Sequence, residues 1–129
     1  MKKSISLFLL SLLTCTVALA DLYKTSFQAP NNRGGLITYG FEVDLAFNPD
    51  GSVTGEMKEF YGASTCRWPG TKLAGRMLAD STLHWVSEEN AIRACGKLTF
   101  VGKKEGEKLV GHLPRFQGVK VNLELEPVK

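Results

Sequence analysis

The chain has 129 residues, 43% of them hydrophobic and 22% charged, with 13 Gly, 3 Cys and a formal net charge of +3. That length and balance suit a single globular domain. They exclude a two-domain enzyme with a separate cofactor domain, a disordered tail protein and a cysteine-dense knottin.

The chain opens on Met1, Lys2 and Lys3, followed by an apolar stretch from Ile5 to Val17 broken only by Ser and Thr. Ala18-Leu19-Ala20 then supplies the small residues of a signal-peptidase site. Residues 1–20 are therefore expected to be a cleaved signal peptide, leaving residues 21–129 as one β-barrel domain that starts at Asp21. The apolar stretch falls short of the roughly 20 residues that span a bilayer as a helix, so no membrane insertion is expected once the leader is gone. A lipoprotein signal centred on Cys15 is the alternative, but Leu12-Leu13-Thr14 matches it poorly. The leader looks bacterial, which points to the periplasm or the medium. Losing Lys2 and Lys3 reduces the 16 Lys and Arg to 14 against 13 Asp and Glu, a charge near +1. With no block of five like charges, broad electrostatic binding to nucleic acid or anionic lipid is not expected.

From Tyr23 onward the chain reads as strands. Tyr23 to Ala29 is a weak first one. Leu36 to Asn48 is the clearest, with Ile37, Tyr39, Phe41, Val43, Leu45 and Phe47 on one face and Thr38, Gly40, Glu42, Asp44 and Ala46 opposite. Such alternation fits a strand buried on one face and fits no helix. Asn48-Pro49-Asp50-Gly51 has the chemistry of a type I turn. Ser52 to Phe60, Lys72 to Ala79, Thr82 to Val86, Ala91 to Val101 and Lys108 to Leu113 follow, each strand-length and bounded by turn residues. The last, Val119 to Glu126, turns Val119, Val121, Leu123 and Leu125 inward and Lys120, Asn122, Glu124 and Glu126 outward.

Eight short strands with short links predict an all-β, antiparallel meander closed or nearly closed into a barrel, because closure removes both sheet edges. A two-sheet sandwich is the alternative. Gly55, Gly75, Gly96 and Gly111 share a small-x-Gly-polar-large spacing and are expected inward, where large residues such as Phe41, Trp85 and Phe100 pack over the gaps. The other reading of these glycines is a ligand cavity.

Without Cys15, the pair Cys66 and Cys95 remains. In an exported chain, two cysteines predict one disulfide. It should tie the longest loop to the outer face of the sixth strand. A zinc site from these two with His84 and His112 lacks the close ligand pairs that zinc favours. No metal and no cofactor is expected.

The sequence contains no nucleophile elbow, zinc-protease helix, phosphate loop or dinucleotide fingerprint. His84 and His112 fall on outward parity, and the other carboxylates read as surface groups. The expectation is a protein that is not an enzyme. In a meander, successive loops alternate between two ends. One end collects the loops at 30–35, 61–71, 87–90 and 114–118, which carry Arg33, Tyr61, Ser64, Arg67, Trp68, Arg115 and Phe116. Arg, Trp and Tyr are the residues enriched at binding hot spots. Glu59 lies near the same rim on inward parity, where it should meet Arg67, Arg115 or a ligand. The plainer reading leaves Trp68 as a packed indole and the arginines solvated.

Eight strands and a leader resemble the calycin group in architecture, but the lipocalin Gly-x-Trp start and the avidin tryptophan pattern are absent. Small periplasmic lysozyme inhibitors share size, export and barrel form; their Ser-Gly-x-x-Tyr signature is missing. The glycine repeats resemble MORN hairpins only faintly, with uneven spacings and no Tyr-x-Gly-x-Trp. No family is assigned. The residues point to an exported binding module that engages a protein partner through Arg33, Glu59, Tyr61, Arg67, Trp68, Arg115 and Phe116, as an inhibitor or immunity-type protein would. The alternative is a small-ligand carrier that uses the barrel interior.

Overall fold

A computed structural model describes residues 19–30, 34–62 and 66–129. Eight antiparallel strands close into a barrel in chain order. They are β1 (Leu19–Pro30), β2 (Leu36–Phe47), β3 (Ser52–Tyr61), β4 (Thr71–Met77), β5 (Thr82–Ser87), β6 (Thr99–Glu105), β7 (Lys108–Phe116) and β8 (Val119–Pro127). β1 and β2 pair along their whole length, from Leu19 opposite Phe47 to Pro30 opposite Leu36. The closing seam is much shorter: Tyr23 pairs with Pro127 and Lys24 with Glu126, and the Val128 N–H donates to the Leu22 carbonyl.

The alternation in β2 sets the interior. Tyr39, Phe41, Val43 and Leu45 are buried, joined by Trp85, Phe100, Val121 and Leu123 from across the barrel. Asp44, Lys120 and Glu124 face solvent as expected, whereas Glu42 is half-buried. Two groups of rings fill the space. Trp85 lies on Phe100 with centroids 5.5 Å apart, and Phe27, Tyr39 and Phe41 surround the edge of Phe116.

Three of the four expected glycines stand in strands opposite buried or close-packed positions: Gly55 faces Leu45, Gly75 faces Trp85, and Gly111 faces Leu123 on one side and Gly102 on the other. A methyl group on Gly75 would stand 2.7 Å from Trp85 Cβ, and one on Gly111 would stand 2.9 Å from Phe100 Cζ. The fourth position of the pattern is corrected. Gly96 lies outside any strand, in a loop with φ of +67°, and Gly102 in β6 takes the place expected of it, opposite Gly111 and beneath the Phe100 ring. The interior retains an opening of only about 20 Å³, little more than one water molecule occupies. Gly102 and Gly111 therefore make room for the Phe100 ring, while Gly55 and Gly75 let neighbouring strand backbones approach closely.

The sixth strand also begins later than the alternation suggests. Residues 91–98 form a loop with a 3-10 turn at Arg93–Cys95, so Cys95 sits in that loop and not on a strand wall. The Cys66–Cys95 disulfide, with Cα atoms 5.7 Å apart, joins two loops. At the opposite end the turns are tight. Gly51 N–H donates to the Asn48 carbonyl, and Ser81 N–H to that of Leu78. Asp50 Oδ1 accepts from the Ser52 amide and hydroxyl, and Asp80 Oδ1 from the Thr82 amide. Hydrogen bonds from Ser52 and Thr82 hold the two carboxyls below the usual aspartate range. Replacing Phe41 by Ala should cost about 3 to 5 kcal/mol of unfolding free energy as a large-to-small core change. Lys120→Ala should change it by less than about 0.5 kcal/mol. Urea denaturation of the two variants checks the pair, and comparable losses would contradict this facing of β2 and β8.

Candidate functional site

The connections β1–β2, β3–β4, β5–β6 and β7–β8 share one end of the barrel, as an antiparallel meander requires. Two strands deform as they approach it. In β3, Gly40 pairs with Tyr61 and Phe41 with Glu59, so Phe60 is an extra, bulged residue. In β7 the register shifts between Leu113 and Phe116. Bulges change which face a following side chain meets. Here they leave Glu59 pointing inward, turn Phe60 and Tyr61 out, and return Phe116 to the core.

Three links bind the long rim loops to one another and to the barrel. The first is the disulfide. The second is Asn90, which is buried: its Nδ2 donates to the Arg67 carbonyl at 2.6 Å, its Oδ1 accepts from the Ile92 amide, and its own amide donates to the Gly96 carbonyl. The third is Glu59, whose side chain is 1% exposed. Its amide donates to the Trp68 carbonyl at 2.9 Å. Its Oε1 accepts from the Trp68 amide at 3.0 Å and lies 3.5 Å from Arg67 Nε. Glu59 Oε2 has no hydrogen-bond partner among the described residues, and Gly62 packs against it. Buried Ser87 adds a brace, its Oγ accepting from the Leu98 amide and donating to the Glu88 carbonyl.

Within this frame a cavity of about 340 Å³ opens between Cys66, Trp68, residues 94–98 and residues 115–118. It brings together Trp68, Arg115 and Phe116 from the expected site. Trp68 and Phe116 contribute as a buried floor, 2% and 3% exposed, and are core residues rather than projecting anchors. Arg67 is exposed and holds Glu59 from above. Tyr61 belongs elsewhere. Its ring covers Gly40, and its hydroxyl is 3.4 Å from Ser26 Oγ on the outer wall. Arg33 and Ser64 lie outside the described residues. Sequence reasoning missed Asn90, Ser87 and Lys97, which all serve this end. Asn90 alone carried a local signal, since an Asn side chain capping the amide two residues on is a common turn device.

Burial raises the Glu59 carboxyl above the usual glutamate range, against the Trp68 amide and the Arg67 guanidinium, which both favour the charged form. Among the described residues, no cluster of three His, Cys, Asp or Glu could hold a metal ion, and no helix is long and apolar enough to cross a membrane. A disulfide-bonded fold is compatible with an oxidising periplasmic or extracellular compartment. Comparisons with protein-family models, curated proteins and solved structures return no match.

The raised Glu59 carboxyl has a definite sign in the pH dependence of stability. An acid whose folded-state pKa exceeds its unfolded value contributes stability that is present below the unfolded pKa and lost as pH rises through the folded one. Glu59→Gln keeps an oxygen for the Trp68 amide but cannot ionise. The variant should therefore gain on the wild type between pH 4 and pH 7 in urea unfolding. An unchanged difference across that range, or a gain by the wild type, would contradict the burial of this carboxylate.

Proposed function

We propose that the protein is an exported, non-enzymatic binding module that engages a protein partner through the rim around residues 66–70, 90–98 and 115–118. The supporting observation is the contrast between the filled barrel interior and the braced rim. The interior opening is about 20 Å³ and the rim cavity about 340 Å³. Small-ligand pockets usually measure about 300 Å³ or more, so a carrier that used the barrel interior would first have to displace Trp85 or Phe100. The rim, by contrast, is cross-braced by the disulfide, Asn90 and Glu59. Bracing of this kind lowers the ordering cost that a binding loop otherwise incurs, and it favours a role such as inhibition or immunity, where one surface must be presented in one shape. The leader-like residues 1–20 and the disulfide support export of the chain to the periplasm or medium.

Exposed Ile92, Arg93 and Arg115 are the natural contacts. Substitution of Trp68 would act on the fold instead of on a contact. A photo-crosslinking amino acid placed at Arg93 or at Arg115 should trap a protein partner when the oxidised chain is mixed with exported proteins of its own source. The same group at Asp50 or Lys103, on the opposite end, should trap none of it. Equal trapping at both ends, or a small molecule retained in native mass spectra and displaced by no rim substitution, would overturn this reading.

A further inference from the structure

The rim cavity has a chemical bias that narrows the partner. Among the described residues its ionisable lining side chains are Lys97 and Arg115, with no Asp or Glu. Both cations are exposed, and neither forms an ion pair among the described residues. Two acids of this end are engaged elsewhere. Glu59 is held beneath the loop by the Trp68 amide and Arg67, and Glu88 Oε1 accepts from the Lys72 amide. Beneath the two cations the floor is apolar, formed by Trp68, Leu98 and Phe116, each no more than 3% exposed.

An occupant that complements the two cations carries an anionic head. Resting on the rim reading above, we infer that the cavity receives an acidic side chain, Glu or Asp, presented by the protein partner. Its carboxylate meets the Arg115 guanidinium and the Lys97 ammonium. Arginine suits this task because its planar fork matches a carboxylate with two parallel hydrogen bonds, whereas lysine contributes a mobile point charge. Partial enclosure strengthens both contacts by limiting the screening that water imposes on exposed pairs.

The test uses the oxidised, 15N-labelled protein and three probes: a capped Gly-Leu-Glu-Gly peptide, its Gln counterpart and inorganic phosphate. The Glu peptide should shift the amides of Gly96, Lys97, Arg115 and Gly118 saturably. The Gln peptide should bind about ten-fold more weakly, as expected when charge-assisted hydrogen bonds become neutral ones. Arg115→Gln and Lys97→Gln should each weaken the Glu peptide while preserving the dispersion of the remaining amide signals. Equal responses to the Glu and Gln peptides at these amides would overturn the acidic specificity and leave the rim reading intact. A phosphate response matching that of the Glu peptide would also overturn it, since a free anion would then suffice. So would shifts confined to other parts of the barrel, or no response to any probe.

Discussion

Phe100 lies across the middle of the barrel because Gly102 and Gly111 place no side chain beneath it. Trp85 stacks on it with ring centroids 5.5 Å apart, and Gly75 lets its own strand approach the Trp85 backbone closely. An eight-stranded barrel encloses just enough space for its own side chains or for one small ligand. In this chain the glycines assign that space to aromatic rings. The consequence runs outward: with the interior closed, the binding role proposed above rests on the surface, at the braced rim.

At that rim, polar groups are buried to hold loops in place. Asn90 commits its side-chain amide to the Arg67 carbonyl and the Ile92 amide, and Glu59 accepts the Trp68 amide from a position 1% exposed to solvent. Burying a carboxylate disfavours its charged form, which is why the Glu59 carboxyl is raised while Asp50 and Asp80, in open turns at the other end, are lowered. The disulfide adds about 3 to 4 kcal/mol by the loop-entropy argument for a closed loop of this length. The disulfide and Asn90 join the same two loops and Glu59 ties one of them to β3, so the platform does not depend on any one link alone.

Much of this was readable in the chain. The alternation from Ile37 to Phe47 marks the buried face of β2, and regular turn chemistry such as Asn48-Pro49-Asp50-Gly51 separates one strand from the next. Strand count, closure and the cysteine pair follow from local pattern and compartment logic. What escaped depends on longer-range geometry. The bulge at Phe60 carries Tyr61 to the outer wall, and the shift before Phe116 brings that ring into the core; parity counting assumes an uninterrupted register and detects neither. Residues 91–98 have the composition of a strand but are held as a loop by Asn90 and Cys95, partners that meet only after folding. Trp68 has the residue type of a binding anchor and the burial of a core residue, a distinction set by the Glu59 clasp on its backbone.

The central claim is that a rigid, cross-braced rim stands on a filled barrel, and native-state hydrogen exchange tests it most directly. The amides of Trp68, Asn90 and Leu98 lie in connections, yet each donates to a defined acceptor: Glu59 Oε1, the Gly96 carbonyl and Ser87 Oγ. Exchange protection reports the free energy of opening each such bond. In the oxidised protein these three amides should approach the protection of β2 and β3. Exchange at the rate of an unstructured peptide, with β2 and β3 still protected, would contradict a braced rim.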